Sequence, residues 1–264
     1  MNAFLTVEDL MLGYAGKIVV QVKHLEAHAG EVFVLLGRSG SGKSTLLRAM
    51  AGLIRPYQGR IRIGDNEVTS LAAHERKKFF TQVGIVFQEG ALFDSMTTEQ
   101  NISFPLRRKA VPRKEWRGKV LSLLQSVGLA AETLELLPSE LSGGMKRRVG
   151  LARALAAEPN VVLFDEPTAG LDPITAGLIG QLIKEVSHRV KLTVIATHDL
   201  NLVEDAGDRI ALVERGRILT VVNREHFLNL LGGNEAPTEA GSAALQQFVE
   251  GSAKGPLEVG GGSA

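Results

Sequence analysis

The run Gly37-Arg38-Ser39-Gly40-Ser41-Gly42-Lys43-Ser44-Thr45 is where chemistry first becomes possible in this chain. Its glycines let the backbone curl until successive N–H groups face one point, a concavity that binds anions. It follows the apolar run Val32–Leu36 and opens a predicted helix over Ser44–Ala51. The positive end of that helix then lies behind the anion. In this strand–turn–helix setting G-x-x-x-x-G-K-[ST] is a phosphate-binding loop, which makes a plain Gly-rich turn the weaker reading. Lys43 reaches the β and γ phosphates of a nucleotide, and the Ser44 hydroxyl is placed for Mg2+.

Two acids supply the next step. Val161-Val162-Leu163-Phe164 is followed by Asp165 and Glu166. A buried strand ending in Asp165 delivers a carboxylate to the mouth of the site, where it can hold the shell of Mg2+ through water. Glu166, one residue on, stands where a general base would polarise an attacking water. Between loop and acids lies Leu141-Ser142-Gly143-Gly144-Met145, at the start of a helix predicted over 143–157. Two glycines leave the backbone open to approach, Ser142 offers a hydroxyl, and the helix start again favours an anion. A Ser N-cap with flexible glycines explains the same letters.

The elements that must position these residues alternate between strand and helix. Short β-type runs occur at Phe4–Val7, Ile18–Val22 and Val32–Leu36. The segment GRIRIGD reads as an edge strand with a turn at Gly64-Asp65, and Val83–Phe87 as another buried strand. From 89 to about 160 the character changes to a helical lobe inserted in the α/β core. It includes a helix with Pro112 near its start and Gly128 near its end. Strand Val161–Phe164, helix 174–188 and strand Leu192–Ala196 restore the βα rhythm, and Arg209–Val213 and Ile218–Val222 read as closing strands. From Gly232 the chain is rich in Gly, Ala and Ser, which reads as a flexible tail whose one apolar island is Leu245–Val249.

Bulk properties narrow the classes. At 264 residues and 44% hydrophobic, one lobed α/β domain with a sizeable core is expected. A net charge of +1 offers nucleic acid no global field. Without cysteine there are no disulfides and no Cys-based metal sites. The start MNAFLTVEDLML carries Glu8 and Asp9 and no basic residue, so no signal peptide is expected, and no apolar run approaches membrane-spanning length.

In order, phosphate loop, Gln88, LSGG, acidic strand end and His198 resemble the nucleotide-binding subunit of an ABC transporter over about residues 4–222. The resemblance implies a P-loop NTPase core with an antiparallel β subdomain and an inserted helical subdomain (about 89–160), within a domain spanning 4–240. It implies a head-to-tail dimer in which each ATP lies between the phosphate loop of one copy and Ser142, Gly143 and Gly144 of the other. Gln88 then links Mg2+ and water to the transporter contact, and His198 contacts the γ-phosphate. Asp172 crosses the dimer interface or is a bare helix N-cap. Tyr14 stacks on adenine or is a core or edge-strand tyrosine. The run Lys146-Arg147-Arg148 is expected to be a solvated helix face with one or two interface contacts, and His24 and His28 to be surface residues. Ala91, Leu92 and Phe93 form an apolar patch suited to the coupling helix of a permease.

The wording GALFDSMT…NISFPL, PSELSGGMKRRVGLARAL and DEPTAGLDPIT is similar to the ATPases of Mla-type systems. That similarity implies phospholipid transport between inner and outer membranes from the cytoplasmic face of the inner membrane. The implied partners are a permease, a periplasmic MCE-domain lipid-binding protein and a small STAS-domain subunit. The segment 241–264 is then an inter-subunit docking tail, whose removal weakens assembly and spares the isolated fold. An amino-acid or ion importer, or a non-transport ABC ATPase, is the alternative.

Overall fold

In the computed structural model, which describes residues 3–107, 111–233, 239–252 and 254–257, the chain opens with two long strands. β1 (Ala3–Tyr14) and β2 (Lys17–His28) form an antiparallel hairpin. The sequence-predicted strand Phe4–Val7 is only the first part of β1. A bulge follows: Asp9 takes φ 46, and the register against β4 (Gln58–Ile63) shifts between Glu8 and Met11. Gly59 lies at the bulge with φ +83, and a Cβ there would stand 2.3 Å from the Asp9 carbonyl oxygen. GRIRIGD does not form an outer edge. It pairs with β1 on one side and the two-residue β5 (Asn66–Glu67) on the other, giving the order β2-β1-β4-β5.

The second sheet holds the chemistry. β3 (Val32–Leu36) is followed by α1 (Lys43–Met50), then by α2 (Ala73–Phe79) and β6 (Val83–Val86) beyond the first sheet. The helical segment contributes α3 (Thr98–Ser103), α4 (Arg113–Ser126) and α5 (Gly143–Ala156). β7 (Val161–Asp165), α6 (Pro173–Ser187), β8 (Leu192–Thr197), α7 (Leu200–Ala206), β9 (Arg209–Glu214) and β10 (Arg217–Asn223) complete the alternation. The strand order is β10-β9-β3-β8-β7-β6, parallel except for β10. β6, read as buried, is an edge strand with Val83 and Ile85 partly exposed.

Side-chain parity shows why the central strands are continuous apolar runs. Phe33, Leu35, Val161, Leu163, Val194 and Ala196 enter one core with the hairpin strands and α1. Val34, Leu36, Val162, Phe164 and Ile195 enter the other with α4, α5 and α6. A strand covered on both faces has no side left for polar residues. The phosphate loop, Asp165 and Thr197 therefore leave the sheet at the C-terminal ends of adjacent strands, the usual crevice of open α/β sheets.

The C-terminal segment is ordered against its own chain over Ala240–Glu250. α8 (Arg224–Leu231) is followed by α9 (Ala240–Glu250), where Ala244 and Leu245 are buried. The buried Gln247 amide accepts from the Leu257 N–H, and donates to the carbonyls of Leu257 at 3.0 Å and Ser252 at 3.1 Å. The flexible-tail reading fails here because the small residues are a packing face: a Cβ on Gly241 would lie 2.7 Å from the Leu219 carbonyl oxygen. The remaining residues of the tail, 253 and 258–264, lie outside those described.

Candidate nucleotide site

The loop ahead of α1 has the geometry an anion requires. Gly40 and Gly42 take φ +78 and +103, values that exclude ordinary side chains, and a Cβ on Gly42 would meet Val20 at 2.8 Å. Gly42 gives α1 no side-chain cap, and no acid occupies its first turn. The first N–H groups of α1 are therefore left for a ligand. The buried Ser41 hydroxyl has no hydrogen-bond partner among the described residues. This donor set fits a phosphate. Arg38 is half-buried, Ser39 and Gly40 are exposed at the lip, and Thr45 is half-buried in the first turn of α1.

Lys43, 4% exposed, donates to the carbonyls of Gly37 at 2.7 Å and Arg38 at 2.9 Å, and pairs with Glu166 Oε1 at 3.2 Å. The other Glu166 oxygen accepts a hydrogen bond from His198 Nδ1 at 2.8 Å, which places the Nδ1 proton. Glu166 has φ 49, and its N–H donates to the Ala196 carbonyl at 2.8 Å. A non-glycine residue in this region costs about 1–3 kcal/mol and is concentrated at functional sites. Ser44 Oγ donates to Asp165 Oδ1 at 2.6 Å, and Arg48 lies 3.7 Å from Asp165 Oδ2. A hydroxyl with free lone pairs beside a carboxylate is an oxygen-only donor set that suits Mg2+. The structure thus joins Lys43, Ser44, Asp165, Glu166 and His198 in one cluster.

The other candidates stand apart from that cluster. Ser142 caps α5, accepting from Met145 N at 3.3 Å. Ser142 and Gly143 are exposed, and a Cβ on Gly143 would meet nothing within 4 Å. Gly144 is different: it is buried, and a Cβ would stand 2.8 Å from Thr175 Cγ2 of α6. No hydrogen bond or ion pair among the described residues joins Ser142–Gly144 to the Lys43 cluster. Asp172 caps α6, accepting from Ile174 N, Thr175 N and the Thr175 hydroxyl. The Thr175 hydroxyl first, then the backbone N–H groups, hold its carboxyl below the ordinary value. Tyr14 is exposed at the end of the hairpin, not in a core.

Gln88 is exposed just past β6, and its backbone carbonyl is held by a residue of the run expected to be a solvated helix face. Arg147 is 9% exposed, not solvated: Nε donates to the Gln88 carbonyl at 2.6 Å and Nη2 to the Ala169 carbonyl. Burial pushes its guanidinium below the ordinary value, and Glu89 partly opposes this. Arg148 Nη1 donates to the Gly128 carbonyl at 2.9 Å. His24 is exposed as expected, whereas His28 is half-buried. Ala91 and Phe93 line an apolar groove of about 310 Å³ with Phe80, Phe87 and Phe104, while Leu92 turns to a different cleft.

Comparison with known proteins points the same way. A family model described as "ABC transporter" matches residues 20–169. The methionine import ATP-binding protein of Carboxydothermus hydrogenoformans is 40% identical over 228 residues, covering 84% of this chain and 67% of that protein. A methionine import ATP-binding protein of Bacillus cereus is 42% identical, covering 74% of this chain and 58% of its own length. The probable ribonucleotide transport ATP-binding protein of Mycobacterium leprae is 34% identical, covering 97% and 72%. A dimeric ATP-binding cassette solved in a post-hydrolysis state with ADP and Pi bound superposes with a TM-score of 0.75 at 30% identity, covering 83% of this chain and 98% of the other.

Proposed function

The chain belongs to the ABC transporter family and carries that family's ATPase fold, and from that premise we propose that it drives a transporter from active sites each completed by a second copy. The observation that carries this is the Lys43–Glu166–His198 cluster, coupled with the exposure of Ser142 and Gly143 away from it. Glu166 accepts the proton of the attacking water, and the His198 N–H orients the carboxylate. Lys43 and the loop N–H groups hold the β and γ phosphates. Ser44, Asp165 and the Gln88 side chain would hold Mg2+, which supplies charge neutralisation of the phosphates when bound. Ser142 and Gly143 meet the γ-phosphate of the partner's ATP, Tyr14 stacks on adenine, and Asp172 lies at the shared interface. ATP binding closes the pair and hydrolysis reopens it. The test is Ser142→Arg: turnover is abolished while ATP still binds at Lys43. Wild-type turnover in that variant sinks the shared site.

We read the groove lined by Phe87, Ala91, Phe93 and Phe104 as the seat of a permease's coupling helix, with the subunit working at the cytoplasmic face of a bacterial inner membrane; the apolar lining supports this reading. Among the described residues no helix is long and apolar enough to cross a membrane itself. For cargo we favour phospholipid moved between the two membranes, with an MCE-domain protein and a STAS-domain subunit as further partners. The wording around Gln88 and LSGG supports this, as does the C-terminal extension. Methionine import is the second reading, favoured by the 40% identity to one such ATPase. The ribonucleotide-transport relative is less identical, at 34%, but matches 97% of this chain against 84% and 74% for the two methionine relatives. Purification of the complex from membranes decides: an MCE-domain protein with phospholipid supports the first, an amino-acid-binding protein the second.

A further inference from the structure

Arg147 lies on the first turns of α5, a few residues past Ser142 and Gly143, yet its side chain leaves the helix for two other segments. Its two hydrogen bonds end on backbone carbonyls 59 and 22 residues away, Gln88 and Ala169. The loop carrying Gln88 is already fixed to α5 by other means. A Cβ on Gly90 would lie 2.6 Å from the Lys146 carbonyl oxygen, so the loop rests directly on the helix backbone. Arg153 also donates to the carbonyls of Gly90 and Ala91, both at 2.9 Å. Helix α5 and residues 90–91 therefore form one body without Arg147, and Arg147 holds the Gln88 carbonyl to it.

Arg147 also adds the bond to Ala169, which belongs to the turn between Glu166 and Asp172. That turn is tied to the catalytic cluster. Ala169 N donates to the Glu166 carbonyl at 3.3 Å, and the Thr168 hydroxyl to Asp199 at 2.7 Å, next to His198. At its far end Asp172 caps α6. All three segments line one cleft, with Gln88, Gly143, Arg147 and Ala169 among its walls.

We propose that Arg147 is a positioning residue that straps the Ser142–Gly144 helix and the Gln88 loop to the Glu166–Asp172 turn, so that surfaces serving two different nucleotides move together. The inference rests on the shared-site reading above. A fork suits it: guanidinium holds separate nitrogens in a rigid plane toward acceptors on two segments, whereas the three donors of a lysine all diverge from one nitrogen. Neither carbonyl that the strap holds belongs to the phosphate loop. Loss of the strap therefore leaves ATP binding at Lys43 intact and misplaces Gln88 and Glu166 relative to the partner's motif, a displacement to which turnover is sensitive.

The full chain is assayed as wild type, Arg147→Lys and Arg147→Ala for ATP affinity, KM, kcat and thermal midpoint. The expected result is affinity and KM within about twofold and kcat lower by about tenfold or more. Added guanidinium ion restores part of kcat to Arg147→Ala and none to Arg147→Lys, whose side chain fills the space. A kcat within twofold of wild type in a folded variant overturns the proposal, as does a lowered thermal midpoint with kcat preserved. If Arg147→Ala does not fold, Arg147→Lys carries the test by the same criteria. Failure of the shared-site reading is separate: Ser142→Arg would then keep turnover whatever the Arg147 variants do.

Discussion

Replacing Glu166 by Gln separates two jobs done by one carboxylate. As proton acceptor it contributes about 10²–10⁴ in rate, which is about 3–5 kcal/mol of barrier. As the partner of Lys43 at 3.2 Å it competes with phosphate for the same ammonium. A charge-assisted hydrogen bond contributes about 1.5–3 kcal/mol net and is about twice as strong as a neutral one. The amide oxygen of Gln still accepts from Lys43, so about 1 kcal/mol of that competition is lost, and ATP should bind about fivefold more tightly. The fold should survive, because Lys43 keeps the Gly37 and Arg38 carbonyls at 2.7 and 2.9 Å. Phosphate release gives turnover, equilibrium binding of a fluorescent ATP analogue gives affinity, and size-exclusion chromatography shows whether ATP holds a closed dimer. Turnover within tenfold of wild type refutes Glu166 as base. ATP affinity weakened more than threefold refutes the competition for Lys43.

The two signature glycines should part company. Gly143→Ala meets nothing within 4 Å and should leave the thermal midpoint unchanged while lowering turnover; Gly144→Ala meets Thr175 Cγ2 at 2.8 Å and should destabilise the fold itself. Overpacking of that kind costs about 1–3 kcal/mol, and equal midpoints for both variants would refute the distinction. The Asp172 carboxyl is held below its ordinary value, so its stabilisation of α6 is present above that value and lost as pH falls through the folded one. The stability gap between wild type and Asp172→Ala, read by urea unfolding, should therefore shrink between about pH 6 and about pH 3; an unchanged gap shows that the ionised cap is not the source. Leu245 is fully buried, so Leu245→Ala should cost about 2–5 kcal/mol and lower the midpoint by several degrees. An unchanged midpoint would mean that α9 is not held on its own chain in solution.

What sequence made legible was whatever is local. The loop at Gly37–Thr45 works through its own backbone, so nine consecutive letters carry it. β3, β7 and β8 are buried on both faces and announce themselves as unbroken apolar runs. Long-range backbone contacts leave no such trace. Arg147 binds two carbonyls, a group every residue possesses, and nothing in the letters at 88 or 169 marks them as acceptors. The same blindness affects glycine, which is read as open space at both 143 and 144 and is open only at 143. In the C-terminal helix, small residues look like loose composition until the Leu219 carbonyl is placed beside Gly241.

One missed element did carry a local signal. Asp199 caps α7 through Asn201 N and Leu202 N, an ordinary Asp N-cap ahead of an apolar run. The same carboxylate accepts from Thr168, two residues past Glu166. The helix cap and the catalytic turn are thus joined through one side chain. His198 is held between that cap and the Glu166 carboxylate, so its position reports on both β7 and β8 ends at once.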